Sequence, residues 1–155
     1  MPNKKTILLL FLAILFAAAA AYGVGLLLSQ ANGAQKGADA GDADLVALGE
    51  RIYGQHCAKC HGADLKGQPG WRSRLADGTL PAPPHDESGH TWHHADALLF
   101  DYTKQGGAAL IGENAKSAMP SFAEVLSDRE IWAAVAYIKS RWPAVTQARQ
   151  AKLNE

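Results

Sequence analysis

One short motif constrains this 155-residue chain more than any other feature: residues Cys57 to His61 have the sequence CAKCH. Two cysteines separated by two residues and followed directly by a histidine form the attachment signature of c-type haem. The thiols of Cys57 and Cys60 would form thioethers with the haem vinyl groups, and His61 would be an axial ligand of the iron. The motif therefore predicts a domain that folds around one covalently bound haem c.

Three other chemistries use a closely spaced pair of cysteines. A thioredoxin-like redox site needs a βαβ context, which the sequence does not offer. A zinc site would need a fourth ligand beside Cys57, Cys60 and His61, and the chain holds no further cysteine. A disulfide between the two cysteines would leave the histidine unexplained, so haem attachment is the interpretation that we favour.

The N-terminal region carries a long apolar run. Residues 7–28 have the sequence ILLLFLAILFAAAAAYGVGLLL without a charge, and Lys4 and Lys5 precede them. As a helix this run would be roughly 33 Å long, enough to cross a bilayer core of about 30 Å. The lysines would remain in the cytoplasm. We therefore predict that residues 1–28 are a membrane anchor; a cleaved secretory signal is the alternative, and both interpretations export the rest of the chain.

The rest of the chain divides by composition. Residues 29–43 have no apolar periodicity and predict a flexible linker with a reach of about 20 Å. Residues 44–143 form the predicted folded domain, and residues 144–155 form a polar tail that we expect to fray. Fifteen Lys and Arg balance fifteen Asp and Glu, which disfavours nucleic acid as a partner.

Apolar spacing and capping signals predict an all-α domain. A first helix is expected from about Asp44 to His56, capped by Asp42 or Asp44, with Gly49 allowing the close approach of another helix. The last helix should begin at the capping box Ser127–Glu130 and end before Pro143.

Two shorter helices are expected between these. One covers Asp96–Lys104 and is stopped by Gly106 and Gly107. The other would start at a second capping box, Ser121–Glu124.

From Leu48 to Trp142 the chain resembles the small monohaem class I cytochromes c of the bacterial, membrane-anchored type. The matching elements are Gly49 and Tyr53 before the motif, the sequence MPSF from Met119 onward, and Tyr137 in the last helix. The resemblance implies about three to five helices packed around the haem, with the first and last helices crossing at Gly49 and Tyr137.

The resemblance also implies that Met119 is the second axial ligand of the iron. Met119 is the only methionine besides Met1 and lies 58 residues after His61. A thioether ligand would raise the reduction potential. The alternatives are that Met119 only fills the core, or that a loop histidine replaces it as ligand.

Two further residues are candidates for haem binding. His61 is expected to donate its other ring nitrogen to a backbone carbonyl, and Pro69 is the candidate acceptor because the family places a proline shortly after the motif. A simple turn at residues 66–70 is the alternative. Trp92 is expected to donate its indole N–H to a haem propionate, or to fill the floor of the pocket.

Residues 80–94 carry four of the six histidines: His85, His90, His93 and His94. A second metal site, with copper as the plausible ion, is one interpretation, because imidazoles bind copper well. We favour a solvated, proline-rich loop over the haem edge, since a metal site needs fixed geometry.

These features predict a one-electron carrier rather than an enzyme, without a small-molecule substrate. The resemblance implies a location on the periplasmic side of the bacterial inner membrane, or in the periplasm if the signal is cleaved. It implies a membrane quinol–cytochrome c oxidoreductase as electron donor, and a terminal oxidase or periplasmic reductase as acceptor. The alternatives are a haem subunit of a larger membrane oxidoreductase, or a haem/copper enzyme that uses the histidine-rich loop 85–94.

Overall fold

The structure is a computed structural model that describes residues 3, 5, 14–16, 19–20, 22–23, 37–111 and 116–155. The chain divides into two units, Met1–Gln35 and Lys36–Glu155. In the first unit every described residue except Asn3 is helical. Most of the predicted anchor, and residues 29–36 of the predicted linker, lie outside the described residues. Among the residues that are described, no helix is both long and apolar enough to cross a membrane.

The described part of the second unit contains six α-helices and no strand, so the all-α prediction is confirmed, although the helices outnumber the expected three to five. A π-helical turn, Tyr53–Cys57, joins the first helix to the second, and single 3₁₀ turns lie at Thr91–His93 and Lys152–Asn154. The helices are α1 (Ala43–Ile52), α2 (Ala58–His61), α3 (Asp96–Gln105), α4 (Gly107–Leu110), α5 (Asp128–Ser140) and α6 (Ala144–Ala151).

The start of α1 is set by Asp42, as predicted. The Asp42 carboxylate accepts hydrogen bonds from the backbone N–H groups of Asp44 (3.1 Å) and Leu45 (3.0 Å). Ordered packing begins earlier than the predicted boundary at residue 44, because Ala38 is buried in the same cluster as Leu45. The helical path also continues beyond the expected end at His56, through the π-helical turn to His61.

The start of α5 confirms the predicted capping box. The Ser127 hydroxyl accepts a hydrogen bond from the Glu130 N–H at 3.4 Å, and the Glu130 carboxylate accepts one from the Ser127 N–H at 2.8 Å. Nearly every residue from Ile131 to Lys139 is buried, which makes α5 the central helix of the unit.

The crossing of α1 and α5 confirms the expected role of Gly49. A Cβ atom at Gly49 would lie 2.5 Å from the carbonyl carbon of Ala133 and 2.8 Å from Cβ of Tyr137. Only glycine permits this approach, so the two helices meet where the resemblance implied. The pair forms the frame on which α3 packs, through the stacked rings of Phe100 and Trp132 with centroids 4.3 Å apart.

The C-terminal segment does not fray, so that prediction is wrong. Residues Ala144–Ala151 form α6, and Gln150 in this helix is fully buried. Its side-chain amide donates to the carbonyl of His94 (3.1 Å) and to Asp96 Oδ1 (2.6 Å). Asn154 Oδ1 accepts the backbone N–H of Asp96 at 2.7 Å, next to the start of α3. Amide side chains, rather than an apolar stripe, therefore hold the segment in place.

The helix expected at Ser121–Glu124 is also wrong, because that segment forms turns. The Ser121 hydroxyl donates instead to the carbonyl of Lys104, at 2.7 Å. Gly106 ends α3 with φ of 82°, and a Cβ there would lie 2.7 Å from the Ser121 nitrogen. The predicted stop at Gly106 is confirmed, and the glycine also lets the segment that contains Met119 pass close to the end of α3.

Candidate functional site

Both cysteines lie on the helical path that leads from the π-helical turn to the end of α2. The π-helical turn closes with the Ala58 N–H donating to the Tyr53 carbonyl, and π-helical turns of this kind occur frequently at functional sites. Cys57 is partly buried and Cys60 is exposed. Burial, with a smaller contribution from Cys60, raises the pKa of the Cys57 thiol to about 11.

The His61 ring is buried and held by one hydrogen bond. Its Nδ1 lies 2.9 Å from the carbonyl oxygen of Pro83. A carbonyl can only accept, so Nδ1 carries the proton and the lone pair of Nε2 is left available. Burial lowers the pKa of His61, although the bond to Pro83 opposes this, and the ring is therefore neutral at neutral pH. His61 is thus in the protonation state and tautomer that a metal ligand requires.

The prediction that Pro69 supplies this carbonyl is wrong. Pro69 is exposed. It lies in a loop whose two ends, Gln68 and Ala82, are joined by hydrogen bonds. The Gln68 N–H donates to the Ala82 carbonyl (2.9 Å), and the Ala82 N–H donates to the Gln68 side chain (3.0 Å). This loop therefore places the carbonyl of Pro83, rather than that of Pro69, at Nδ1 of His61.

His85, one of the histidines considered as copper ligands, lies beside His61. The rings of His61 and His85 are stacked, with centroids 4.0 Å apart and planes inclined by 21°. His85 Nδ1 lies 2.8 Å from the hydroxyl of Thr91. Burial, reinforced by His61 and His90, lowers the pKa of His85 well below its usual range, so this ring is neutral too.

The backbone of His85 rests on Leu65, whose role had no signal in the sequence. The Leu65 carbonyl accepts the N–H groups of both His85 (2.7 Å) and Asp86 (3.2 Å). Leu65 has φ of 66°, the only positive value at a described residue other than glycine. Left-handed geometry is strained for leucine, and it persists here because Leu65 is buried and doubly bonded.

The other histidines of this region contact aromatic rings, and His90 also meets the ring of His94 edge-on, with centroids 5.5 Å apart. His90 stacks on Trp71, with centroids 5.6 Å apart, and His93 stacks on Trp92 at 3.7 Å. Within residues 37–111 and 116–155, no three His, Cys, Asp or Glu side chains are grouped so that they could hold a metal ion. The geometry gives no support to a copper site.

Trp92 has a different hydrogen-bond partner from the one predicted. Its indole N–H donates to the carbonyl of Glu87 at 3.3 Å, rather than being free for a haem propionate. The ring packs against the buried cluster that includes Tyr53 and Leu65. The structure therefore favours the alternative expectation, that Trp92 fills space.

Met119 lies outside the helices, in a segment that passes beside the start of α4. Its carbonyl accepts the Gly107 N–H at 3.1 Å, and its own N–H donates to the Ser117 hydroxyl at 3.1 Å. These bonds fix the backbone of a residue whose side chain is only partly buried. Ligation of the iron by Met119 stays a prediction.

Tyr53 is a further residue of the site whose contacts the sequence did not predict. Its hydroxyl donates to the carbonyl of Gly62 at 2.9 Å, which ties the π-helical turn to the end of α2. Its ring packs on Tyr137 and meets His85 edge-on, with centroids 5.3 Å and 6.2 Å away. Tyr53 therefore connects the motif to α5 and to the stacked histidines.

The side chains present fit haem c by their chemistry. Two thiols lie on adjoining helical turns, and beside them lies a neutral imidazole whose Nε2 is available. Thiols and an imidazole in this order are what covalent haem attachment uses.

Comparison with known proteins agrees with this assignment. The family model described as cytochrome c matches residues 46–142. Over 46 residues the chain is 37% identical to the cbb3-type cytochrome c oxidase subunit CcoP of Rubrivivax gelatinosus, which is 30% of this chain and 15% of that protein. The crystal structure of cytochrome CL from the marine methylotrophic bacterium Methylophaga aminisulfidivorans has a TM-score of 0.50 and 21% identity, covering 71% of this chain and 65% of that one. The comparison with cytochrome CL supports the assignment of the fold alone.

Proposed function

The protein belongs to the cytochrome c family and has covalent haem c as its cofactor, and from this we propose that it is a one-electron carrier of a respiratory chain, located outside the cytoplasm. The haem iron, when bound, supplies the ferric/ferrous couple. The observation that carries the proposal is the state of His61: buried, neutral, and bonded through Nδ1 to Pro83 so that Nε2 is available. Cys57 and Cys60 are the attachment residues in the proposal.

Met119 is the proposed second axial ligand. A thioether is a soft donor that favours ferrous iron, so a His/Met pair raises the reduction potential. If His61 and Met119 both held the iron, no coordination position would remain for a substrate. The protein therefore exchanges electrons rather than transforming a small molecule.

Residues 7–28 are proposed to anchor the carrier to the periplasmic side of the bacterial inner membrane. Their uncharged length and the lysines that precede them support this. A tether raises the effective concentration of the haem domain near membrane-bound partners. The proposed donor is a membrane quinol–cytochrome c oxidoreductase, and the proposed acceptor is a terminal oxidase or a periplasmic reductase.

A second candidate function is that of a haem subunit in a membrane oxidase. The identity with an oxidase subunit over 46 residues favours it, although the chain spans only 15% of that protein. Purification in mild detergent separates the two proposals. A subunit would copurify with an oxidase in fixed proportion, whereas a carrier would elute alone.

Haem attachment is tested on denaturing gels, where only covalently bound haem survives. We expect the full chain, expressed with a c-type maturation system, to retain haem, and Cys57→Ala combined with Cys60→Ala to lose it. Lys59→Ala is the matched control, since this exposed residue lies between the two cysteines and should leave haem content unchanged. A double cysteine variant with normal covalent haem would overturn the proposal.

A further inference from the structure

The hydrogen bond at Nδ1 constrains the orientation of the His61 ring, and a contact on the ring face can add to that constraint. The bond from His61 Nδ1 to Pro83 sets the direction of one ring atom, at 2.9 Å. The His61 ring can still tilt about the line that joins its Cβ to its Nδ1 while the hydrogen bond to Pro83 persists. A second contact, against the flat face of the ring, would oppose such a tilt.

His85 provides that contact. Its ring lies against the His61 ring with centroids 4.0 Å apart and planes only 21° from parallel. Two flat rings in this arrangement make contact over their whole faces, so a tilt of His61 would break contacts on one side and compress them on the other.

His85 is itself held from three directions. Its N–H donates to the Leu65 carbonyl at 2.7 Å, its carbonyl accepts the Trp142 indole N–H at 2.7 Å, and its Nδ1 lies 2.8 Å from the Thr91 hydroxyl. These partners come from different parts of the fold, and Trp142 is buried. A ring fixed in this way can serve as a rigid surface for its neighbour.

The residue type suits this task. An aliphatic side chain could fill the volume beside His61, but it has no flat face. A phenyl ring would have the face but no nitrogen for Thr91. Histidine combines both, with one edge bonded to Thr91 Oγ1 and one face on His61.

We propose that His85 is a positioning residue that fixes the plane of the His61 imidazole relative to the haem. The proposal rests on the proposed axial role of His61. It assigns His85 a role in the electronic structure of the haem, because the orientation of an axial imidazole plane is one of the factors that set how unpaired spin is distributed over the four pyrroles of ferric haem.

The test is the proton NMR spectrum of the ferric haem-loaded protein, in which the four haem methyl shifts report that spin distribution. His85→Leu removes the flat face, and we expect it to change the order or the spread of the four shifts. His85→Phe keeps a flat ring, and we expect the order of the wild type. His93→Leu is the matched control, because His93 is exposed and stacks on Trp92 instead, and its shifts should equal those of the wild type.

A wild-type shift pattern in His85→Leu would overturn the proposal, and so would an equal change in His85→Leu and His85→Phe. If His85→Leu does not fold, Thr91→Val decides: this change frees the edge of the His85 ring, and we expect broadened methyl lines, whereas sharp wild-type lines would refute the role. The proposed function fails in a different way, since a wild-type protein without a histidine-ligated low-spin haem would contradict it whatever the His85 variants show.

Discussion

Replacing Gly49 by alanine tests the closest approach in the fold. The new Cβ would lie 2.5 Å from the carbonyl carbon of Ala133 and 2.8 Å from Cβ of Tyr137. Carbon atoms in contact rest at about 3.5–4.0 Å. A backbone carbonyl cannot rotate away as the end of a flexible side chain can, so α1 must retreat from α5 by about 1 Å, which loosens the core clusters between them.

The magnitude follows from two opposing effects. Overpacking costs about 1–3 kcal/mol, and a rigid backbone neighbour puts this site at the upper end, at about 3 kcal/mol. The higher helix propensity of alanine returns about 1 kcal/mol. The expected net loss in the free energy of unfolding is therefore about 2 kcal/mol, which corresponds to a fall in Tm of roughly 8 °C for a domain of this size.

The assay is urea unfolding of the haem-loaded protein, followed by far-ultraviolet circular dichroism. The control is Gly54→Ala, because Gly54 is exposed and a Cβ there would meet no atom within 4 Å. This variant should be as stable as the wild type, or more stable by up to about 1 kcal/mol. Equal stability of the two alanine variants would refute the claim that the crossing of α1 and α5 requires a glycine.

Two further predictions concern polar contacts. Asp96→Asn leaves Lys139 without its carboxylate partner (2.6 Å in the native protein) in a pair that is almost wholly buried, so we expect a loss of about 3 kcal/mol in urea unfolding. Adding Lys139→Met to Asp96→Asn should restore much of the lost stability. An Asp96→Asn protein as stable as the wild type would contradict the prediction. Ser127→Ala should cost about 1 kcal/mol through the lost cap. Hydrogen bonds from the Ser127 side chain and backbone lower the pKa of Glu130, so this contribution is present above the unfolded pKa of about 4.3 and is lost as pH falls through the folded value. The stability of Ser127→Ala should therefore decline less than that of the wild type between about pH 5 and pH 3, and identical declines would refute the assignment.

The sequence predicted those helices whose signals are local. Asp42 and Ser127 satisfy backbone N–H groups within three residues of themselves, so their capping roles follow from the order of residues alone. Close packing at Gly49 was the favoured of two interpretations, the other being a glycine that only lowers helix stability, and the structure shows close packing. The haem motif is equally local.

The order of the C-terminal segment could not be predicted, because it depends on distant polar contacts. Gln150 is buried by bonds to His94 and Asp96, and Asn154 binds the first turn of α3. A search for apolar periodicity takes no account of amide side chains. Residues 144–155 therefore have the sequence pattern of a disordered tail.

The sequence predicted the type of hydrogen-bond partner of His61 but not the residue that supplies it. A backbone carbonyl at Nδ1 was expected, and the structure supplies one, but from Pro83. The loop closed by Gln68 and Ala82 determines which proline lies beside His61. A single sequence gives no indication of where such a loop closes. For the same reason His85 could not be separated from the other histidines of its segment.

The visible spectrum of the purified protein, oxidised and then reduced, tests the central claim most directly. Ligation of the iron by His61 and Met119 predicts sharp low-spin bands in both states, and a weak far-red sulfur-to-iron charge-transfer band that is present only in the oxidised protein and is lost in Met119→Ala. A low-spin spectrum without that band would mean that a nitrogen ligand occupies the position proposed for Met119. A high-spin spectrum would contradict the account of a closed electron carrier, because it would show an iron with an open coordination position.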